Sequence, residues 1–280
     1  MSLVFPCRLF RTAAPSLLLA FLFMVAPVRG DEAEDSPDLW FPVGETLVFR
    51  VYWGALPIAI STATTEWEEY EGQRVIAIRF KTQSNKVIGK LYPVDDVIEC
   101  LVDPEGFRPL RFKKRLKEGR YRCDEETIFD YEAGMARCQS FTKDRQKEYP
   151  LSEGVRDLVS FMYFIRGEPR HFVPGEVVKH SIMADEKIYE AYVKPVAIEK
   201  VKLPDYGRVE CVRFEPEAKF EGLFVKKGKL WLWVSNDERR TLTKVQARVP
   251  IASVKIYLAA VKGPGDDFWT QNGSKDFDGN

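Results

Sequence analysis

Val94-Asp95-Asp96-Val97-Ile98-Glu99-Cys100-Leu101-Val102, then Asp103-Pro104-Glu105-Gly106, then Leu110-Arg111-Phe112-Lys113-Lys114-Arg115-Leu116 and Lys117-Glu118-Gly119 form the stretch whose reading decides the fold class. An apolar run ends at a residue order suited to a tight turn, because Asp bonds back to its own backbone, Pro presets φ and Gly accepts a left-handed conformation. A second run, with Leu110, Phe112 and Leu116 as its apolar markers, turns again at Gly119. Tyr121–Tyr131, Glu132-Ala133-Gly134 and Met135–Phe141 repeat the device. Successive hairpins at this spacing predict an antiparallel, meander-like architecture.

The same punctuation extends both ways. Upstream, Gly44-Glu45 opens a run in which Leu47, Phe49, Val51 and Trp53 fall on one face by strand alternation, followed by runs from Ile58 to Trp67 and from Val75 to Thr82 across Glu71-Gly72. Downstream, strands are expected over residues 176–183, 187–198, 206–214, 223–234, 241–249 and 253–261. One interruption is helical: from Gly154 to Arg166 the apolar residues Val155, Leu158, Val159, Met162 and Ile165 recur by threes and fours. Ser152 is placed as its N-cap, and Gly167, with Pro169 beyond, as its stop. The expectation is an all-β fold with one helix: a strongly curved antiparallel sheet or incomplete β-barrel of about a dozen strands, the helix packed across an opening.

The first 30 residues stand apart. Arg8 and Arg11 precede an apolar stretch from Ala13 to Val28, and Val28-Arg29-Gly30 offers small residues before Asp31-Glu32. This reads as a signal peptide cleaved after Gly30, giving a periplasmic or secreted protein that is not integral to the membrane. Residues 31–40 are expected as a flexible lead-in, 41–262 as a single β-rich domain, and 263–280, rich in Gly, Asp, Asn and Ser, as a disordered tail. Lys plus Arg and Asp plus Glu both number 42, so composition implies no basic face and no nucleic-acid partner.

Conventional catalytic patterns are missing. The sequence has no G-x-S-x-G, H-E-x-x-H, P-loop or G-x-G-x-x-G, and only two histidines, His171 and His180. No cofactor or metal is expected. Cys100, Cys123, Cys138 and Cys211 have no metal-site spacing; in an oxidising compartment disulfides among them are plausible, against the alternative of small buried side chains. Asp95-Asp96 and Asp237-Glu238 are the carboxylate pairs that a glycan hydrolase would need, although neighbours on a strand point to opposite faces.

Five segments together resemble a bacterial envelope family catalogued as domain of unknown function 3108. They are Val43-Gly44-Glu45 with Trp53-Gly54, Leu91-Tyr92-Pro93-Val94-Asp95-Asp96, Asp103-Pro104-Glu105-Gly106-Phe107-Arg108-Pro109-Leu110-Arg111-Phe112, Arg156-Asp157-Leu158-Val159-Ser160-Phe161-Met162-Tyr163-Phe164-Ile165-Arg166, and Gly228-Lys229-Leu230-Trp231-Leu232-Trp233 through Arg240. The resemblance implies a single exported β-rich domain and brings no activity with it.

Candidate binding residues come from two places. Trp231 and Trp233 share a face of a strand whose other face, Leu230, Leu232 and Val234, is also apolar. One face makes a core; the other needs a lid, a partner or a ligand. On the helix, Asp157, Tyr163 and Arg166 add polar groups, with Asp157 expected to meet Arg111 or Arg213 as a structural ion pair or to help an arginine hold an anionic head group. The leading functional expectation is a non-enzymatic envelope protein holding an amphipathic, lipid-like ligand, with a glycan as the other ligand class. The alternatives are a structural or assembly factor docking another envelope protein through a sheet edge, and a carboxylate-dependent glycan hydrolase. A closed apolar cavity favours the first, a filled core with an exposed apolar edge the second, and an open cleft with two carboxylates about 5 to 10 Å apart the third.

Overall fold

The computed structural model describes residues 38–167, 176–184, 187–218, 229–249 and 252–264. The expected signal peptide and most of the expected tail lie outside these residues. Within them, one sheet of fifteen strands runs β1 (Thr46–Trp53), β2 (Leu56–Tyr70), β3 (Gln73–Ser84), β4 (Asp95–Val102), β5 (Pro109–Glu118), β6 (Tyr121–Asp130), β7 (Met135–Ser140), β8 (Arg145–Pro150), β9 (Val155–Asp157), β10 (Val178–Ala184), β11 (Lys187–Leu203), β12 (Gly207–Ala218), β13 (Lys229–Ser235), β14 (Leu242–Val249) and β15 (Ala252–Lys262). Spatial neighbours are chain neighbours from β8 back to β1; β15 then pairs with β1, and the order continues down to β9. Every pairing is antiparallel except β9 with β10. The sheet is strongly curved and does not close, as the meander pattern predicts.

The turns form where the sequence suggested, although after Asp103-Pro104 the left-handed position is taken by Phe107, at φ 51°, and not by Gly106. Asp103 accepts the backbone N–H groups of Glu105 and Gly106 at 3.1 Å each. Glu71 and Gly72, at φ 52° and 77°, make the two-residue link between Tyr70 and Gln73; such a link matches strand twist only when both residues have positive φ. Irregularities redirect faces. A register shift between Val51 and Tyr52 leaves Leu47, Phe49 and Val51 buried and turns Trp53 outward, so Trp53 does not share their face. A second, between Pro195 and Ala197 in β11, lets Val193 face one core cluster while Val201 and Leu203 face another.

The helix is shorter than expected: α1 is Leu158–Gly167, and residues 155–157 form β9 instead. Asp157, not Ser152, caps it, with Oδ1 accepting the N–H groups of Val159 and Ser160 at 2.7 and 3.1 Å. Residues 155–157 are drawn into the sheet by pairing with Ser181, Ile182 and Met183. The helix lies across the opening and touches both walls. Val159 and Tyr163 pack with Ile76, Ile78, Val102 and Phe107, whereas Phe161 and Ile165 pack with Ile182, Val193, Phe214 and Leu232. Leu39 and Trp40, placed by the sequence in the lead-in, are packed as well: the Trp40 indole donates to the Tyr163 carbonyl at 2.7 Å. A Cβ on Gly167 would stand 2.6 Å from the Trp40 ring, so glycine there permits the N-terminal segment to cover the helix end.

Candidate functional site

The densest polar chemistry in the interior lies at the two ends of α1. At the N-terminal end, Asp157 is buried, and besides its cap bonds its Oδ2 accepts from Ser160 Oγ at 2.6 Å and Cys100 Sγ at 2.9 Å. Burial pushes the Asp157 carboxyl above its usual range, while the Cys100, Ser160 and backbone donors pull it back only partly. The Cys100 thiol is pushed well up, by burial first and then by the facing carboxylate. A thiol so placed donates a hydrogen bond and is not a thiolate nucleophile. The trio is an anchor: it ties the helix start to β4, in which Cys100 lies opposite Phe112.

At the C-terminal end, Arg166 is 1% exposed. It binds fully buried Glu45 through both terminal nitrogens, Nη2 at 3.1 Å from Oε2, and donates through Nε to the Arg240 carbonyl at 2.9 Å. Arg239 lies on the other side of the same carboxylate, Nη2 to Oε2 3.6 Å. The Tyr163 and Phe41 rings flank the guanidinium at 4.9 and 5.2 Å. The Tyr163 hydroxyl has no hydrogen-bond partner among the described residues, and burial, then Glu45, raises its pKa. A bidentate, buried arginine–carboxylate pair has its donors committed, so Arg166 is not presented to an anionic head group. Glu45 was not anticipated as a partner, although strand alternation from Leu47 and Phe49 places it on the same buried face.

The other candidate residues are also accounted for by the fold. Arg111 does not reach Asp157; it pairs with Glu126 at 2.7 Å and Glu99 at 3.7 Å, in a cross-strand ladder shared with Arg79. Arg213 pairs with Glu199 at 3.3 Å. Trp233 is buried with Leu47, Phe49, Leu203 and Leu258, its indole donates to Glu199 Oε1 at 2.6 Å, and Lys244 Nζ sits 3.8 Å from its ring. Trp231 packs on the same cluster, while Leu232 and Val234 meet Phe161 and Ile165 on the opposite face. Both faces of β13 are therefore covered by protein. Cys100, Cys123, Cys138 and Cys211 are buried thiols, and none is opposite another in register, their partners including Phe112, Leu116, Thr127 and Ser235. The carboxylate pairs serve turns and strands: Asp96 accepts the Lys117 N–H at 2.8 Å, and Asp237 accepts the Ser235 hydroxyl at 2.8 Å and the Arg239 and Arg240 N–H groups.

The best-defined cavity among the described residues lies between β5–β7 and the β9–β10 side, lined by Phe112, Lys114, Glu125, Phe129, Asp157 and Met183, and encloses about 30 Å³. That is room for a water or two, whereas a drug-sized ligand occupies roughly 300–1,000 Å³. No group of three or more His, Cys, Asp or Glu among the described residues could hold a metal ion. None of their helices is long and apolar enough to cross a membrane.

Comparison with known proteins bears on the fold. A crystal structure of a β-barrel-like protein of domain of unknown function DUF1849 from Brucella abortus superposes with a TM-score of 0.53 at 8% identity, covering 80% of this chain and 99% of that one. A "putative lipoprotein" from Parabacteroides distasonis matches over 82% of this chain and all of that one, at 10% identity and a TM-score of 0.37. No curated protein matches the chain. The family model described as "Protein of unknown function (DUF3108)" matches residues 48–259. That span runs from β1 to β15 and takes in α1, so the chain belongs to the DUF3108 family.

Proposed function

We propose that the protein is an exported, non-enzymatic structural or assembly factor of the cell envelope, acting through its outer surface on another envelope component. The observation that carries this reading is the filled interior: α1 contacts both walls of the curved sheet, in the place a cargo would take. Trp231 and Trp233 on one face of β13, and Leu232 and Val234 on the other, are spent on protein contacts. An enclosed amphipathic ligand would need an apolar cavity several times larger than the one lined by Phe112, Phe129 and Met183 among the described residues. The polar groups nearest to catalytic constellations serve as caps, ion pairs and turn acceptors, which supports a non-enzymatic role.

The outermost strand β8 offers one surface for such docking. It pairs with β7, and residues 146–148 are exposed. The test is a photo-crosslinking amino acid placed at Gln146 in cells exporting the full chain. A discrete higher-mass adduct at Gln146, absent from a control at Glu71 on a β-turn, is expected. No adduct from Gln146 or from any other exposed position outside the control turn would overturn the reading.

A further inference from the structure

Three loops on one end of the sheet form a surface that neither the core nor the family match explains. They are the β1–β2 turn, the 85–94 connection between β3 and β4, and the β5–β6 turn; alternation of antiparallel strands puts all three at the same end. Backbone bonds hold them side by side. Asn85 N–H donates to the Ile58 carbonyl at 2.9 Å and its side chain to the Pro57 carbonyl at 2.6 Å. Gly119 N–H donates to the Pro93 carbonyl at 2.7 Å, and the Tyr92 ring lies against Gly119. Within 85–94, Asn85 Oδ1 caps a short 3₁₀ turn by accepting the Val87 and Ile88 N–H groups.

This fixed rim displays large apolar side chains to solvent. Leu91 is 85% exposed and Val87 73%, with Trp53, Leu56, Tyr92 and Tyr121 between 42% and 53%. Its charges are of one sign at the loop tips: Lys86, Lys90 and Arg120 are exposed, and none of them forms an ion pair among the described residues. The turns at the opposite end carry Glu71, Asp103, Glu105, Glu132 and Asp205. Net charge over the whole chain is zero, so the positive charge of these three loop tips is local to them, and the neighbouring β7–β8 turn carries both Lys143 and Asp144. Exposed Leu and Val beside Trp and Tyr, ringed by Lys and Arg, are the residue types that settle at a bilayer interface: aliphatic groups enter the acyl boundary, amphipathic rings sit among head groups, and cations meet lipid phosphates.

We propose that this rim docks the protein on an anionic phospholipid surface, with Leu91 and Val87 inserted and Lys86, Lys90 and Arg120 over the head groups. The inference rests on the surface-docking reading above and names one of its partners. A bilayer fits better than a protein groove because the apolar groups stand on three separate loop tips in one rim and the charge is all positive, which suits a laterally uniform anionic surface.

The test is co-sedimentation of the protein, purified from the soluble envelope extract of cells expressing the full chain, with vesicles of phosphatidylglycerol and phosphatidylethanolamine or of phosphatidylcholine alone. Binding to the anionic vesicles at low salt is expected, at least about tenfold weaker on phosphatidylcholine, and weakened about fivefold for each lysine removed in Lys86→Gln and Lys90→Gln. Leu91→Ser with Val87→Ser should reduce binding at least about tenfold, with the thermal midpoint unchanged. Equal retention by both vesicle types, retention unchanged in these variants, or no retention at all overturns the proposal. So does reversible self-association that Leu91→Ser abolishes, which would assign the rim to a second copy. An adduct at Gln146 without vesicle binding sinks the lipid assignment alone, whereas vesicle binding with no adduct at Gln146 or elsewhere outside the rim sinks the protein-partner reading alone.

Discussion

The end of the sheet closed by α1 and the end formed by the three loops treat side chains in opposite ways. At the closed end even charge is internal: Glu45, Arg166 and Arg239 are buried together, Phe41 lies against Arg166, and Trp40 and Phe107 pack edge-on around Phe41 and tilted against each other. At the loop end aliphatic groups such as Leu91 and Val87 are left in water. Folding alone explains the first arrangement, since a buried charge must be paired and hydrogen-bonded. It does not explain the second, because exposed Leu and Val on a fixed turn add nothing to the core. The contrast separates residues that hold the fold from residues available for work outside it.

The sharpest way to break this contrast is to unpair the buried ions. Glu45→Leu should cost about 3–5 kcal/mol, since it leaves the Arg166 guanidinium buried without its carboxylate, and Arg166→Met should cost less, because Arg239 stays beside Glu45. The double variant should recover part of that loss, Arg239 still lacking the carboxylate, and should give a coupling of more than about 1.5 kcal/mol in a denaturation cycle; additive losses would show that the two do not act as a pair.

His180 should matter next. It packs against Phe161 and Phe164 at ring distances of 5.4 and 5.8 Å, and its pKa is lowered to about 4 by burial and then by Arg156. The unfolded chain takes up this proton below about pH 6.5 while the folded protein does not until about pH 4. Stability should therefore fall as pH drops through that window, by up to roughly 3 kcal/mol, and His180→Gln should flatten the fall. Asp157 acts with the opposite sign: its raised pKa means the folded state holds a proton the unfolded state has lost, so its contribution declines as pH rises above about 4. Urea midpoints at several pH values for both Asn and Gln replacements measure the two slopes.

Asp157→Ala should cost about 2 kcal/mol through loss of the cap and of the acceptor for Cys100 and Ser160. Tyr163→Phe should change stability by less than about 0.5 kcal/mol, because its hydroxyl has no hydrogen-bond partner among the described residues. Val87→Ser and Leu91→Ser should be equally silent in thermal melts. A loss above about 1 kcal/mol from the rim would mean that the loop end is part of the core and would erase the contrast.

The meander was legible because its turns carry their own chemistry: Asp103 bonds back to the Glu105 and Gly106 N–H groups, and Glu71-Gly72 takes the positive φ its link needs. The helix was legible by period, but its start was not. Residues 155–157 satisfy a helical spacing and a strand equally well over so short a span, and only pairing with β10 decides between them. The polar interior was half legible. Period places Arg166 on the same face as Val159 and Tyr163, and alternation places Glu45 beside Leu47, yet nothing local says that elements 121 residues apart will meet. The two faces of β13 could be read as apolar but not as covered, because the cover is built by β1, β11 and β15 on one side and α1 on the other. The rim was illegible for the same reason. Leu91 and Tyr92 become neighbours of Tyr121 and Leu56 only once the strand order is known.

Native mass spectrometry of the protein purified gently from the soluble envelope extract tests the central claim, that the inside is filled and the outside does the work. The account predicts the mass of the bare polypeptide, because α1 and both faces of β13 occupy the interior. A stoichiometric adduct of lipid mass, retained by the Leu91→Ser variant and released only on denaturation, would contradict it and restore an enclosed cargo.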